Sequence, residues 1–366
     1  MSNVTTIGID LAKDVFAVCA MDVTGAVVYH KALKRDAFVA WAQQLQPCNI
    51  AMEACGSSHH WGRWFAALGH TARLMAPEFV QPFRKSMAAK NDRNDAEPIA
   101  IAARQPTMRF VAIKSVEQQS VLVWHRLREG YKEERTAHLN RMRGLLGEFG
   151  IWPPRSADKL IRALPGLTAD CAIPEGLRLA IEQSLRYLKS VHEHIALCDQ
   201  HIRQHLTSQP AALRLTVMTG IGTLTASATL ATVVNASQFK NGRQFAAWLG
   251  LTPRQMSSGG KTRLGRTSRR GDTYVRSLLV QGAKSTLQVA LRQTQDKASR
   301  LQQWIVSVYQ RVGYHKTLVA IANKHARMMW AILAKDTGYD ANVWQRWQAP
   351  AANCQRQINI RDLNLA

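Results

Sequence analysis

Acidic residues are scarce in this 366-residue chain: 25 Asp and Glu stand against 48 Lys and Arg, a formal charge of +23. A surface so unbalanced excludes cationic partners and points to a polyanion, with nucleic acid the first choice. No run reaches the roughly 18 apolar residues of a membrane span. The start, Met1-Ser2-Asn3-Val4, has no charged stretch leading into an apolar one, so no secretory leader is expected, and a membrane surface is the weaker choice of polyanion because no amphipathic basic helix stands alone. None of the six cysteines (Cys19, Cys48, Cys55, Cys171, Cys198, Cys354) forms a Cys-x-x-Cys pair. That argues against a zinc knuckle and for small buried hydrophobes in a reducing compartment, the cytoplasm. A triphosphate-binding loop is missing too. Gly260-Lys261-Thr262 ends like one, but position 255, where the first glycine belongs, is Gln.

What is present is enough apolar residue, 46%, to bury the cores of two or three domains. Residues 4–10, 14–20 and 27–29 read as a three-stranded meander, with a turn at Asp22-Val23-Thr24-Gly25. A helix (Asp36 to Leu45), a strand (Asn49 to Glu53), a helix (His59 to Leu68) and a strand (Thr71 to Met75) follow. Helical patterns then cover Glu78 to Ser86 and Asp92 to Ala103. The order β-β-β-α-β-α-β-α matches a ribonuclease-H-like α/β plan, in which strand ends converge on one cleft.

Residues 116–149 read as one long helix, and a second runs from about Leu177 to Leu206. Trp152-Pro153-Pro154-Arg155 separates them as a linker. Two such helices suggest either an arm that pairs with another subunit or a hairpin within the chain. Further on, Met218-Thr219-Gly220-Ile221-Gly222-Thr223 resembles a helix-hairpin-helix turn, in which Gly220 and Gly222 would let backbone amides reach a phosphate. The alternative is a plain glycine-rich turn between helices. Leu164-Pro165-Gly166-Leu167-Thr168 is a weaker echo. Residues 284–333 are again helical. The chain thus divides into an α/β catalytic domain (1–112), a helical arm (113–208), a largely helical C-terminal domain (209–340) and a loose tail (341–366).

Four carboxylates are placed for chemistry. Asp10 and Glu53 end apolar strands, and Asp92 and Asp95, three apart, share one face of a helix. Like charges gathered together are costly unless a cation neutralises them, and oxygen ligands suit Mg2+ or Mn2+. Two ions would activate an attacking oxygen and stabilise a leaving one at phosphorus. Asp14 and Asp36 read instead as turn or cap residues. His59 and His60 face different directions on a helix and read as packing or phosphate contacts rather than a metal pair.

The second constellation runs Pro253-Arg254-Gln255-Met256-Ser257-Ser258-Gly259-Gly260-Lys261-Thr262-Arg263 and continues through Arg266, Arg269, Arg270 and Arg276. A serine beside two glycines, among Arg254, Lys261, Arg263, Arg266, Arg269 and Arg270, suits attack on a phosphodiester. No His-Asp partner is near, so the metals would have to activate it. From spacing alone, a basic loop that only grips phosphate is the better-supported reading.

Taken in order, Gly8-Ile9-Asp10-Leu11-Ala12-Lys13, Met52-Glu53-Ala54-Cys55-Gly56, Lys90-Asn91-Asp92-Arg93-Asn94-Asp95-Ala96, Gly220-Ile221-Gly222 and Gly250-Leu251-Thr252-Pro253 to Gly260 resemble the signatures of a known family. It is the DEDD transposases of bacterial insertion sequences, related to the pilin-gene invertases and understood as recombinases guided by a bridge RNA. The resemblance covers almost the whole chain. It implies a RuvC-like N-terminal domain with Asp10, Glu53, Asp92 and Asp95 as metal ligands. It implies Ser258 as nucleophile, forming a covalent phosphoserine with the DNA 5′ end; Ser257 is adjacent, and only the family's Ser-Gly alignment favours Ser258. The long helices would then be a coiled-coil arm joining subunits into a dimer or tetramer. A non-coding guide RNA would pair with donor and target DNA, and the protein would sit on the bacterial nucleoid when bound. Two other readings stand beside this one: a metal-dependent, Holliday-junction-type DNA endonuclease in which water attacks, and a non-enzymatic nucleic-acid-binding protein. The presence of all four carboxylates argues against the latter.

Overall fold

The computed structural model describes residues 4–84, 92–294 and 297–339, with residues 92–94 described by their backbone alone. The tail expected over 341–366 and the Lys90-Asn91 start of the paired-Asp motif lie outside the described residues. The chain falls into two compact units. One runs to Asp199 and takes in Leu230–Asn235; the other comprises Gln200–Thr229 and the chain from Ala236.

The first unit begins with the expected meander. β1 (Val4–Asp10), β2 (Val15–Asp22) and β3 (Val27–Lys34) pair antiparallel, and α1 (Arg35–Gln43) leads into β4 (Asn49–Glu53), which lies parallel to β1. α2 (Ser58–Ala67) crosses to β5 (Thr71–Met75), parallel to β4. After the short α3 (Pro77–Val80) come α4 (Asp92–Ala103) and β6 (Phe110–Val111), which closes the sheet antiparallel to β5. The strand order is β3-β2-β1-β4-β5-β6.

Period-two alternation decides which side each residue faces. Ile7, Ile9, Phe16, Val18, Ile50 and Met52 pack with Phe38, Trp61 and Phe65 of α1 and α2. Phe16 stacks on Phe38 at 4.3 Å, and Trp61 meets both edge-on. Their strand neighbours Ala17, Cys19 and Met21 turn the other way, onto Ala96 and Ala100 of α4. The helix expected over Glu78 to Ser86 is cut short. α3 passes into a single 3-10 turn (Gln81–Phe83) containing Pro82, which lacks an amide hydrogen, and Arg84 is extended. Residues 85 and 86 lie outside the described residues.

The long helices are α5 (Val116–Glu148) and α7 (Glu175–Thr207), with α6 (Ala157–Ala169) between them. Ser115 and Gln118 close a reciprocal capping box at the start of α5. Within the first unit, α5 and α7 form an antiparallel hairpin. Arg128 pairs with Asp199 at 2.6 Å, Tyr131 stacks on His194, and Tyr187 reaches Glu134. Near the tip Ser184 Oγ donates to Met142 Sδ at 3.0 Å. Leu139, Met142 and Leu146 are buried with Leu160 and Leu164 of α6 and Ile181 and Leu188 of α7. The echo at Leu164-Pro165-Gly166 is not a turn: α6 runs straight through it. Leu160 and Leu164 face the core while Pro165 and Gly166 are exposed, where a lost hydrogen bond is replaced by water.

The second unit holds α8 (Pro210–Thr216), α9 (Thr223–Thr232) as far as Thr229, α10 (Gly242–Trp248), the hairpin β7 (Pro253–Gln255) and β8 (Leu264–Thr267), then α11 (Thr273–Arg292), α12 (Arg300–Val312) and α13 (Tyr314–Lys335). Val275, Leu279, Ala283 and Leu287 of α11 are buried, as are Leu318, Ile321, Ala322 and Met329 of α13. The architecture is therefore mixed α/β at the N-terminal end and mostly helical beyond. Among the described residues no helix is long and apolar enough to cross a membrane.

Candidate active site

The site starts with a missing side chain. An atom at the Cβ position of Gly8 would stand 2.3 Å from the Ala96 carbonyl oxygen and 2.5 Å from the Ala100 nitrogen. Gly8 thus lets α4 lie directly on β1, with Ala96 and Ala100 as the small residues beneath it. Asp95 directly precedes Ala96, so that contact carries it towards the end of β1. Ile9 pairs with Met52 across the parallel β1–β4 ladder, so Asp10 and Glu53 are the next residues of adjacent strands. Adjacent strands are about 4.8 Å apart.

These acids feel one another. Burial pushes the Glu53 carboxyl above its ordinary range, and the charges of Asp10 and Asp95 add to the rise. One cation opposes it. Arg84 Nη2 donates to Glu53 Oε1 at 3.0 Å, and Arg84 Nε stands 3.7 Å from Asp95 Oδ1. Asp92 opens α4, but its side chain lies outside the described residues. Among the described residues, no three His, Cys, Asp or Glu side chains close round a common point, and the Arg84 guanidinium lies against two of the acids instead. The donor set itself, all hard carboxylate oxygen from the ends of β1 and β4 and the first turn of α4, suits Mg2+ or Mn2+ and not a softer metal.

His59 is a packing residue. Its Nδ1 accepts the Lys114 backbone N–H at 3.2 Å and its Nε2 faces Lys114 Nζ at 3.1 Å. Burial, then the charges of Lys114, Arg63 and Arg126, lower its pKa to about 4 and keep the ring neutral. His60 is exposed, with its ring edge-on to Trp61.

In the second unit the serine sits on a hairpin turn. Ser258 and Lys261 bridge, with the Lys261 N–H donating to the Ser258 carbonyl at 3.1 Å. Gly259 and Gly260 between them both have positive φ, 55° and 75°, the signature of a two-residue turn that suits the twist of paired strands. Two glycines are there because the turn demands them. The Ser257 hydroxyl is engaged: it accepts from Gln255 Nε2 at 3.0 Å and from the Arg263 N–H at 3.4 Å. Among the described residues the Ser258 side chain makes no such bond. Arg254, Lys261, Arg263, Arg266, Arg269 and Arg270 lie on or beside this hairpin. The Arg276 guanidinium is spent on the chain itself, donating to the carbonyls of Leu249 (3.1 Å) and Arg270 (2.9 Å).

Gly220, at φ 85°, is explained by packing: a Cβ there would meet Thr286 Oγ1 at 2.2 Å and the Gly282 carbonyl at 2.5 Å, so it seats the turn on α11. Gly222 has open space and precedes the first turn of α9. Sequence reasoning missed Arg84, which stands beside Lys85 just after Phe83, with nothing local to mark it.

Comparison with known proteins gives two family matches. Residues 7–151 match a DEDD transposase model of IS110 type, and residues 212–299 match the model described as transposase IS116/IS110/IS902 family. The chain is similar to a probable family 20 transposase of Pseudomonas aeruginosa, 44% identical over 92% of this chain and 99% of that one. It is similar to the transposase for insertion sequence element IS1111A of Coxiella burnetii, 36% identical over 93% and 92%. It is also similar to the transposase for insertion sequence element IS1328 of Yersinia enterocolitica, 35% identical over 92% and 99%.

Proposed function

The chain belongs to the IS116/IS110/IS902 family of insertion-sequence transposases, enzymes that cut and rejoin DNA, and on that premise we propose that it transfers strands through a covalent 5′-phosphoserine at Ser258, assisted by metal held on Asp10, Glu53, Asp92 and Asp95. The observation that carries the acidic half is the gathering of Asp10 and Glu53, at the ends of adjacent strands, with Asp95 of α4, which Arg84 bridges to a Glu53 carboxyl raised by burial. The strand order β3-β2-β1-β4-β5 supports a ribonuclease-H-like, RuvC-type reading of this unit. Mg2+ or Mn2+ bound there would supply Lewis-acid polarisation of the phosphate and stabilisation of the leaving oxygen.

Ser258 Oγ attacks phosphorus, its proton passing to solvent. The Oγ–P bond forms as the bond from phosphorus to the 3′ oxygen breaks, and that oxygen leaves with its bonding pair and takes a proton from water to become the 3′ hydroxyl. The phosphoserine keeps a phosphodiester, so rejoining needs no nucleotide triphosphate. The engagement of the Ser257 hydroxyl supports its neighbour as the nucleophile. The glycines let backbone come close to DNA, and the flanking arginines grip phosphate oxygens. Choice of sequence falls to a bridge RNA pairing with donor and target DNA, in keeping with a protein that grips backbone rather than reading bases. Val123, Leu127, Leu145 and Phe149, exposed on α5 and its cap, support self-association of the arm as a dimer or tetramer.

The test is a denaturing gel of the protein with DNA of the element's ends in Mg2+. Ser258→Ala should lose the protein–DNA adduct while still shifting DNA on a native gel. Asp10→Asn or Asp95→Asn should block cleavage at any magnesium concentration. An adduct that survives in Ser258→Ala and vanishes in Ser257→Ala moves the nucleophile by one residue. Cleavage by the wild type with no adduct at all would make water the attacking group.

A further inference from the structure

Resting on the carboxylate reading above, a second role can be assigned at the same site. We propose that Arg84 is a resident counter-cation that competes with the divalent ion, so the acids are held ready in its absence and the guanidinium must withdraw for metal to load. The argument begins with charge. Asp10, Glu53 and Asp95 repel one another in a half-buried setting, and burial alone already disfavours the Glu53 anion. A cluster of this kind would splay or take up protons without a cation. Among the described residues the cation in ion-pair contact with both Glu53 and Asp95 is Arg84. Its planar fork suits it to bridge two carboxylates at once, which a lysine ammonium does less well.

The same contacts set a conflict. Glu53 Oε1 and Asp95 Oδ1, which accept the guanidinium, are the oxygens that a hard metal ion would have to take. A guanidinium and a dication cannot share them, because their charges repel across a few ångströms. Arg84 is free to yield. Its side chain is 38% exposed while those of Glu53 and Asp95 are 15% and 19%, and it lies on extended backbone beyond the 3-10 turn rather than inside a helix. Once displaced it stands as a positive charge at the rim of the acids, where a phosphate oxygen of the substrate arrives. Arg84 is thus a positioning residue: it acts on the carboxylates, not on the reacting atoms.

The experiment is calorimetric titration of Mn2+ into the full chain as wild type, Arg84→Gln, Arg84→Lys and Glu53→Gln, with melting temperatures taken in EDTA and in saturating Mn2+. Arg84→Gln should bind Mn2+ about fivefold tighter than wild type, the equivalent of losing one partly exposed ion pair. It should melt below wild type in EDTA and draw level in Mn2+; a purely structural role for Arg84 would leave the deficit in place. Arg84→Lys should fall between the two in affinity, and it decides the matter if Arg84→Gln does not fold: affinity no tighter than wild type overturns the proposal. Equal or weaker binding by Arg84→Gln, with binding abolished in Glu53→Gln, overturns the role of Arg84 and leaves the metal site standing. Mn2+ binding that Glu53→Gln does not weaken, or no binding by any of these proteins, overturns the site and the proposal together.

Discussion

Gly8 shows how much one absent methyl group controls. The α4 backbone lies where a Cβ would be, so the contact cannot be relieved by turning a side chain. Gly8→Ala should destabilise the protein by about 1–3 kcal/mol, the usual cost of forcing volume into a packed interior. It should cut DNA cleavage far more than that loss explains, because α4 carries Asp95. Chemical denaturation and a cleavage assay at a temperature where the variant is folded separate the two effects; normal cleavage would show that the seat of α4 does not govern the acids. The sequence marks Gly8 only as a small residue inside a strand, and it marks Arg84 not at all. The first needs the partner helix to explain it. The second is an ion pair spanning 31 residues, which no local pattern encodes.

At the scale of elements, the strands of the first unit were readable because one face of each is buried on each side of the sheet. Ile7 and Ile9 alternate with Gly8, and Phe16, Val18 and Ala20 with Ala17 and Cys19. The two long helices were readable from their apolar stripes, while the contacts that pair them as a hairpin within the chain, Arg128–Asp199 and Tyr131–His194, join residues too far apart in sequence for any local pattern to show. α6 was hidden because Pro165-Gly166 looks like a break, and only its exposed position makes the pair tolerable. β7 and β8 were hidden because their residues are almost all exposed, so no alternation betrays them. The arm's core should be sensitive: Leu146→Ala, at a fully buried position, should cost about 2–5 kcal/mol in the unfolding transition that reports on the arm. A loss below about 0.5 kcal/mol, the range of ordinary surface changes, would mean that α5 and α6 are not packed there in solution.

Over the whole molecule, charge is unevenly spread. Residues 1–112 hold 12 Lys and Arg against 9 Asp and Glu, and residues 113–208 hold 14 against 11. Residues 209–366 hold 22 against 5, so most of the excess lies beyond the arm. Phosphate grip should therefore reside mainly there, with roughly one log unit of salt slope per neutralised phosphate. Replacing Arg263 and Arg266 with alanine should flatten the slope by about two, while Arg141→Ala in the arm should leave it unchanged. Equal slopes for all three proteins would move the grip elsewhere. The hairpin that bears Ser258 adds a last point. A lone two-stranded ribbon, with its residues open to water, has little stiffness of its own. On the mechanism proposed above, duplex laid across its arginines would lend it that stiffness, so the hydroxyl would be accurately aimed only with DNA in place. An idle copy would, by the same token, be a safe one.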